Sequence, residues 1–235
     1  YPCDTGVWQN SENPYARGDV SDLISRFRSS GYRTASFGKQ HYELPKAPFE
    51  TEEMLVLTDR LGYPDYAPPY SADEFGGVRF DGPTPWILGG TFPGTAEETS
   101  EAEVVRRGLG WLQADGESPF VLRLSFNGPH TPVAPPAPWN EAVDPPPLPQ
   151  APRLEEGAPR WMSDLAREYA GVDRLPAGSL PAVRRSYYGY ASYLDHLVGS
   201  VLAYLDSRGL LEDTIVVYTS DHGTHLGDHG LVQKQ

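Results

Sequence analysis

The sequence has 235 residues, of which 39% are hydrophobic and 22% charged, which is typical of a globular chain with a sizeable core. Its formal net charge of −13 argues against a nucleic-acid surface, which needs a basic face, and no apolar run approaches the roughly 20 residues that span a bilayer. Its single cysteine, Cys3, excludes an internal disulfide. The chain starts at Tyr1 and stops directly after its richest motif, so we expect it to be part of a longer protein.

The first predicted elements are a helix and a strand. Apolar residues recur at helical spacing from Val20 to Phe27, and Gly31 follows as a stop signal. The β-rich residues 32–37 then predict a strand, and a polar cluster, GKQH, comes directly after it.

The middle of the chain contains a second helix and a second strand. Residues 43–95 are rich in Pro, Gly, Tyr and Asp and predict an excursion from the core, with minor strands at most. An amphipathic pattern over 97–113 predicts a helix. The run FVLRLSF at 120–126 predicts the next strand, which ends in the cluster NGPH.

The last part of the chain repeats this alternation. Residues 131–152 hold nine prolines, which predict an extended segment over the surface, with an interdomain linker as the alternative. Helices are predicted at 161–170 and at 181–207. Residues 214–219 predict a third strand, which ends in the cluster SDHG.

This alternation predicts an α/β fold with a mostly parallel central sheet and helices on both faces. Ligands bind such sheets at the carboxyl ends of the strands, where all three polar clusters lie. Five of the six histidines fall in these three segments. They are His41, His130, His222, His225 and His229.

Each cluster has a functional and a plain interpretation. Lys39 and His41 project to the same side of an extended segment and could meet one anion, although for these two residues alone a solvated lysine beside an incidental histidine is the favoured interpretation. His130 between prolines is often a rigid-loop residue. Asp221 and His222, bent together at a glycine, suit a divalent metal, with a capping aspartate and a surface histidine as the alternative.

The spacing of HGTHLGDH excludes one metal motif. The H-x-H-x-D-H signature of metallo-β-lactamase-like hydrolases separates its first two histidines by one residue. Here two residues separate His222 from His225, so the signature is absent.

Four stretches in chain order resemble the motifs of the sulfatase family, within the alkaline phosphatase-like superfamily. They are GYRTASFGKQH, SFNGPHTP, the helical stretch YLDHLVGSVLAYLDSRGLLEDT, and YTSDHGTHLGDHGLVQK. Together they span residues 31 to 234, so the whole chain, residues 1–235, is expected to be a partial sulfatase catalytic domain.

The resemblance implies hydrolysis of a small-molecule sulfate ester, or of a related phosphorus ester, through a covalent intermediate. Two lysines would bind the sulfate oxygens, one histidine would contact the nucleophile, and another would protonate the leaving group. An aspartate and a histidine would bind one divalent metal ion, Ca²⁺ or Mn²⁺. Carried over by motif, these residues are Lys39 and Lys234, His41 and His130, and Asp221 and His222.

The sequence departs from the family pattern in three places. The family's nucleophile is a formylglycine made from a Cys or Ser in a C/S-x-P-S/A-R motif, whereas Cys3 is followed by Asp-Thr-Gly. The family's paired N-terminal aspartates are absent as well, and we expect both features upstream of Tyr1. Val232 stands where the family often has an aromatic residue before the final lysine.

Two other functions remain open at this level. A phosphonate monoester hydrolase or phosphodiesterase shares the DHG motif and also acts on tetrahedral oxyanion esters. A non-catalytic relative that kept the fold and lost the chemistry is the third hypothesis.

Overall fold

A computed structural model describes residues 22–40, 49–53, 55, 73–80, 86–115, 118–147, 156–157, 159–166 and 171–234. The chain forms two compact units. Unit 1 combines Tyr1–Pro68 with Glu97–Asn127, and unit 2 combines Pro69–Ala96 with Gly128–Gln235. The described helices and strands are, in chain order, α1 (Leu23–Ser29), β1 (Arg33–Gly38), β2 (Thr51–Glu53), β3 (Val78–Phe80), β4 (Trp86–Gly89), α2 (Ser100–Ala114), β5 (Phe120–Ser125), α3 (Arg160–Leu165) and α4 (Leu180–Ser207).

Unit 1 contains a three-stranded parallel sheet in the order β2-β1-β5. The strands predicted at 32–37 and 120–126 are confirmed as β1 and β5, and they pair in register from Arg33 opposite Phe120 to Gly38 opposite Ser125. β2 falls inside the predicted excursion, yet it pairs with β1 as a full member of the sheet. The sequence indicated only minor strands in this region, because a three-residue strand is too short for a periodic pattern that would place it in the central sheet.

Helix α2 covers one face of this sheet and confirms the helix predicted at 97–113. It begins where the Thr99 hydroxyl accepts a hydrogen bond from the backbone N–H of Ala102, at 3.1 Å. Its apolar stripe includes Val104, which is buried with Ala35 and Phe37 of β1. The leucines of β5 complete this core, so the alternate residues of the strand face away from α2.

Unit 2 is built on the long helix α4, which confirms the helix predicted at 181–207. Gly209 follows its end with a φ of +66°, the left-handed conformation that terminates helices. The Tyr193 hydroxyl of α4 donates to the Ala96 carbonyl oxygen at 2.6 Å. The antiparallel pair β3–β4 belongs to the same unit, and β4 packs against α4.

The proline-rich segment differs from its prediction as a surface segment. The residues from Val133 to Pro136 are buried, and they run beside β4 and the residues after it. The Val133 N–H donates to the Ile87 carbonyl at 2.9 Å, and the carbonyls of Val133 and Pro135 accept from Gly90 and Phe92, at 3.1 Å each. Proline lacks only the donor, so a segment whose carbonyls and remaining N–H groups are paired can be buried without cost.

The strand predicted at 214–219 is wrong. Its residues have no regular structure, and their side chains are exposed: Ile215 by 92%, Val216 by 51%, Val217 by 78% and Tyr218 by 78%. Among the described residues, no backbone–backbone hydrogen bond joins 215–219 to another segment. A strand exists only through such pairing, so the β-rich composition alone does not make one.

Candidate functional site

Lys39 leaves the sheet of unit 1 at the carboxyl end of β1, as predicted. Its backbone N–H donates to the Ser125 carbonyl oxygen at 2.8 Å, and its own carbonyl accepts from Nη2 of Arg123 at 3.3 Å. Gly38, just before it, has a φ of +103°, and a Cβ there would overlap the Ser125 carbonyl. The turn therefore requires glycine at position 38. Both backbone polar groups of Lys39, its N–H and its carbonyl, are hydrogen-bonded.

A polar cluster lies around this turn. The Gln40 amide is buried and donates to the Ser36 hydroxyl at 3.5 Å. Gln40 also hydrogen-bonds the Glu52 carboxylate. Burial raises the pKa of Glu52, while Arg123 and Gln40 act in the opposite direction. His41, the predicted contact of the nucleophile, lies outside the described residues.

His130 lies in unit 2, in the loop that follows Gly128. A Cβ at Gly128 would overlap the ring of Tyr190 on α4, so the loop lies directly against this helix. The Thr131 hydroxyl donates to the Ile87 carbonyl oxygen at 3.0 Å. Nδ1 of His130 lies 2.9 Å from the Thr131 carbonyl, which can only accept, so this contact fits the tautomer in which Nδ1 donates.

Asp221, His222 and Lys234 come together in unit 2. Nε2 of His222 lies 3.1 Å from Nζ of Lys234 and 3.5 Å from Oδ2 of Asp221. Nδ1 of His222 is 2.9 Å from the Gly223 carbonyl. Because a carbonyl accepts and an ammonium donates, the contacts with Gly223 and Lys234 fit the tautomer in which Nδ1 donates and Nε2 accepts.

A closed loop returns Lys234 to His222 across 12 positions of sequence. The Thr224 hydroxyl donates to the Val232 carbonyl at 3.3 Å, and the Gly227 N–H donates to the Leu231 carbonyl at 2.7 Å. Leu231 and Val232 are buried, and Val232 lies in a core cluster with residues of β4 and α4. This anchored hydrophobic pair fixes where the chain emerges at Lys234.

The two histidines without a predicted role lie inside this loop. The rings of His225 and His229 are 6.2 Å apart, and His229 adopts a φ of +54°. Burial lowers the pKa of His225, the neighbouring His229 lowers it further, and Asp228 opposes both. Within the described residues, no group of three or more His, Cys, Asp or Glu side chains could hold a metal ion.

Asp221 and His222 nevertheless fit two positions of a metal shell. A carboxylate oxygen and an imidazole nitrogen converge, and the imidazole donates its other N–H to a backbone carbonyl, which is the usual orientation of a metal-ligating histidine. Lys234 lies against the same Nε2 atom that a metal would bind. The ammonium and a metal ion could be neighbours here only with an anion between the two positive charges.

Arg123 is the residue that sequence reasoning missed. It lies in the middle of β5, opposite Ser36 of β1, and its guanidinium reaches the Lys39 carbonyl. The alternation of FVLRLSF was the available signal, because it places Arg123 and Ser125 together on the face opposite the leucines.

Comparisons with known proteins bear on this arrangement of motifs. A sequence model of the Sulfatase family matches residues 1–235. The choline-sulfatase of Rhizobium meliloti is 30% identical over 98% of this chain and 47% of its own length. The human iduronate 2-sulfatase is 34% identical over 91% of this chain and 42% of its own length. The phosphonate monoester hydrolase of Silicibacter pomeroyi superposes with a TM-score of 0.74 at 24% identity, over 99% of this chain and 52% of that one.

The chain belongs to the sulfatase family, and its fold is that of the alkaline phosphatase-like superfamily. The α/β class and the parallel sheet with helices are therefore confirmed. The chain spans less than half the length of the two sulfatases just described. In the described part of the chain, no helix is both long and apolar enough to cross a membrane.

Proposed function

We propose that residues 1–235 are part of a sulfatase catalytic domain and that the complete protein hydrolyses small-molecule sulfate esters. The observation that carries the proposal is the grouping of Asp221, His222 and Lys234, with His222 Nε2 at 3.1 Å from the ammonium and 3.5 Å from the carboxylate. A sulfate group carries negative charge on its oxygens. A metal ion held by Asp221 and His222 and the ammonium of Lys234 would both stabilise that charge.

The other motif residues supply the remaining roles. Lys39 and Lys234 bind the sulfate oxygens and stabilise the charge that develops on them. His41 contacts the nucleophile, which in this family is a formylglycine, although its C/S-x-P-S/A-R motif does not occur in residues 1–235.

His130 acts at the leaving group. As the bond between sulfur and the bridging oxygen breaks, Nε2 delivers a proton to that oxygen and the alcohol departs neutral. The contact of Nδ1 with the Thr131 carbonyl, at 2.9 Å, supports this role because it engages Nδ1 and fixes the orientation of the ring.

Asp221 and His222 would hold one divalent ion, Ca²⁺ or Mn²⁺. The ion would supply a positive charge that lowers the free energy of the anionic nucleophile and of the transferring group. The imidazole ligand favours Mn²⁺ over Ca²⁺ within this pair.

A phosphonate monoester hydrolase is the second candidate, because two such enzymes superpose on the chain with TM-scores of 0.74 and 0.76. At 24% and 21% identity these likenesses concern the fold alone. The relatives at 30% and 34% identity over nearly the whole chain carry sulfatase names, which favours the sulfate ester.

Parallel assays of the complete protein on p-nitrophenyl sulfate, a phosphonate monoester and a phosphate diester test the proposal. We expect the highest kcat/KM on the sulfate, and loss of turnover on chelation that Mn²⁺ or Ca²⁺ restores. A preference for the phosphonate would replace the sulfatase assignment, and no turnover of any of the three would favour a non-catalytic relative.

A further inference from the structure

Arg123 occupies an unusual position for a charged residue. It stands in the middle of a sheet strand, between Leu122 and Leu124 of the buried apolar face, and its own side chain is half-buried on the other face. Burial lowers the pKa of its guanidinium, and the nearby Glu52 carboxylate partly compensates. Burying a charged group costs free energy unless the group is paired and hydrogen-bonded, so the partners of Arg123 indicate why it lies here.

Three of its hydrogen bonds join β1, β5 and the turn that follows β1. Nη1 donates to the Ser36 hydroxyl at 3.4 Å, and Nη2 donates to the Ser125 hydroxyl at 3.2 Å and to the Lys39 carbonyl at 3.3 Å. The planar fork of arginine spans three acceptors at fixed angles, which an ammonium cannot do.

The Lys39 carbonyl is the informative acceptor. The Lys39 N–H is already held by Ser125 at 2.8 Å, so Arg123 fixes the second polar group of the same residue. With both groups held, the ψ angle of Lys39 is restrained. Without Arg123, the turn loses one of the contacts that hold it beside the ladder hydrogen bond and the Gln40 side chain, so the backbone at Lys39 opens more often.

We propose that Arg123 is a positioning residue, which holds the carbonyl of Lys39 from the middle of β5 and thereby orients Lys39. This rests on the proposed function in one respect, namely that Lys39 binds the sulfate group. The contact itself lies entirely within unit 1 and does not depend on that role.

Two variants of the complete protein separate positioning from bulk stability. Arg123→Met keeps the length and removes every donor, whereas Arg123→Lys keeps the charge and can reach one acceptor. Arg33→Met is the matched control, because Arg33 lies at the other end of β1 and also donates to backbone carbonyls, those of Asp115 and Trp111.

Amide hydrogen exchange is the readout that needs no activity. In Arg123→Met we expect exchange at Lys39 and Gln40 to accelerate by about tenfold, the effect of losing one charge-assisted hydrogen bond, while residues 34–37 keep their protection. Arg33→Met should leave Lys39 and Gln40 unchanged. Unaltered exchange at these two amides in Arg123→Met would overturn the inference. If that variant does not fold, Arg123→Lys decides by the same measurement.

Kinetics on p-nitrophenyl sulfate provide the second readout. We expect Arg123→Met to lose roughly ten- to hundredfold in kcat/KM, mostly through KM, with partial recovery in Arg123→Lys, because a displaced lysine weakens ground-state and transition-state binding alike. Altered exchange with unchanged KM would refute the role of the contact in substrate binding. If the wild-type protein cleaves none of the three esters, the proposed function fails, while the exchange experiment still decides whether Arg123 holds Lys39.

Discussion

At the scale of single residues, the candidate site depends on glycines that allow close approach and on side chains that hold backbone groups. Gly38 admits the Ser125 carbonyl, and Gly128 admits the Tyr190 ring. In each case the glycine lies within two positions of a proposed functional residue, Lys39 or His130. The position of each functional residue thus depends on a nearby glycine, which has no side chain.

Gly128→Ala tests this dependence. We expect it to lower the free energy of unfolding by about 1 to 3 kcal/mol, because its Cβ would overlap the Tyr190 ring and one of the two must move. Denaturant unfolding measures the change. Gly199→Ala in α4 is the control: it faces open space and should stabilise the helix by roughly 0.5 to 1 kcal/mol. Equal effects of the two substitutions would contradict the packing argument.

Asp221→Asn tests the metal proposal in the complete protein. An amide oxygen is a weaker ligand than a carboxylate, so we expect the affinity for Mn²⁺ to fall by at least about tenfold. Elemental analysis and titration with Mn²⁺ provide the measurement. Asp228→Asn changes an acid of the same loop that has no proposed role and should retain wild-type metal content. Equal metal content in the two variants would count against Asp221 as a ligand.

At the scale of elements, the loop from Thr224 to Val232 is an anchored structure rather than a flexible tail. Its two ends are tied by a side-chain hydrogen bond, and Leu231 and Val232 are buried. Arg184 of α4 donates a hydrogen bond to the Leu226 carbonyl at 3.2 Å. The loop therefore moves only if part of the core of unit 2 opens.

The burial of His225 in this loop predicts a pH dependence of stability. Its pKa in the folded protein lies below the ordinary value for histidine, so the unfolded chain binds more protons than the folded chain when the pH falls through that ordinary value. Stability is then lost on acidification from neutral pH. Urea unfolding of His225→Gln over this range should show a shallower dependence than the wild type. An identical pH dependence in both proteins would contradict a depressed pKa.

The elements that could be predicted are those whose signal is local. β1 and β5 are β-rich runs and α2 and α4 have a helical periodicity, and glycines stand at the end of β1 and just after α4. The segment 214–219 has the same composition as a strand, but pairing depends on a distant partner that no local pattern reveals. For the buried prolines, the sequence indicates missing donors and gives no information on what pairs with the carbonyls.

The site could be predicted to a similar extent. Motif resemblance places Asp221, His222 and Lys234 in one site, and the structure brings them within hydrogen-bond distance. The contacts that make this possible, such as Thr224 with Val232, link backbone carbonyls to side chains and leave no trace in composition. Arg123 was missed for the same reason, because its partner is a carbonyl oxygen, which every residue possesses.

At the scale of the whole molecule, the proposed functional residues are divided between the two units. Lys39 belongs to unit 1, whereas His130, Asp221, His222 and Lys234 belong to unit 2. The net charge of −13 does not oppose an anionic substrate, since a site responds to its local charges.

A polypeptide of residues 1–235 alone should not turn over p-nitrophenyl sulfate. It lacks the C/S-x-P-S/A-R motif from which the family's nucleophile is made. Without covalent attack, positioning and charge stabilisation leave only a small residual acceleration. Purified polypeptide assayed beside the complete protein provides the comparison. Turnover within about tenfold of the complete protein would overturn the assignment of the nucleophile.

The exposed run Ile215–Tyr218 has a practical consequence for anyone who produces this polypeptide. Four consecutive β-prone side chains without charge, proline or glycine, 51% to 92% exposed, match the composition of segments that nucleate intermolecular cross-β pairing. We expect the isolated polypeptide to form thioflavin-positive aggregates at a rate that rises with concentration. A gatekeeper charge, Val217→Lys, should suppress them without a change in the free energy of unfolding beyond about 0.5 kcal/mol. Equal aggregation of the wild-type and Val217→Lys polypeptides would mean that the aggregation-prone segment lies elsewhere in the chain.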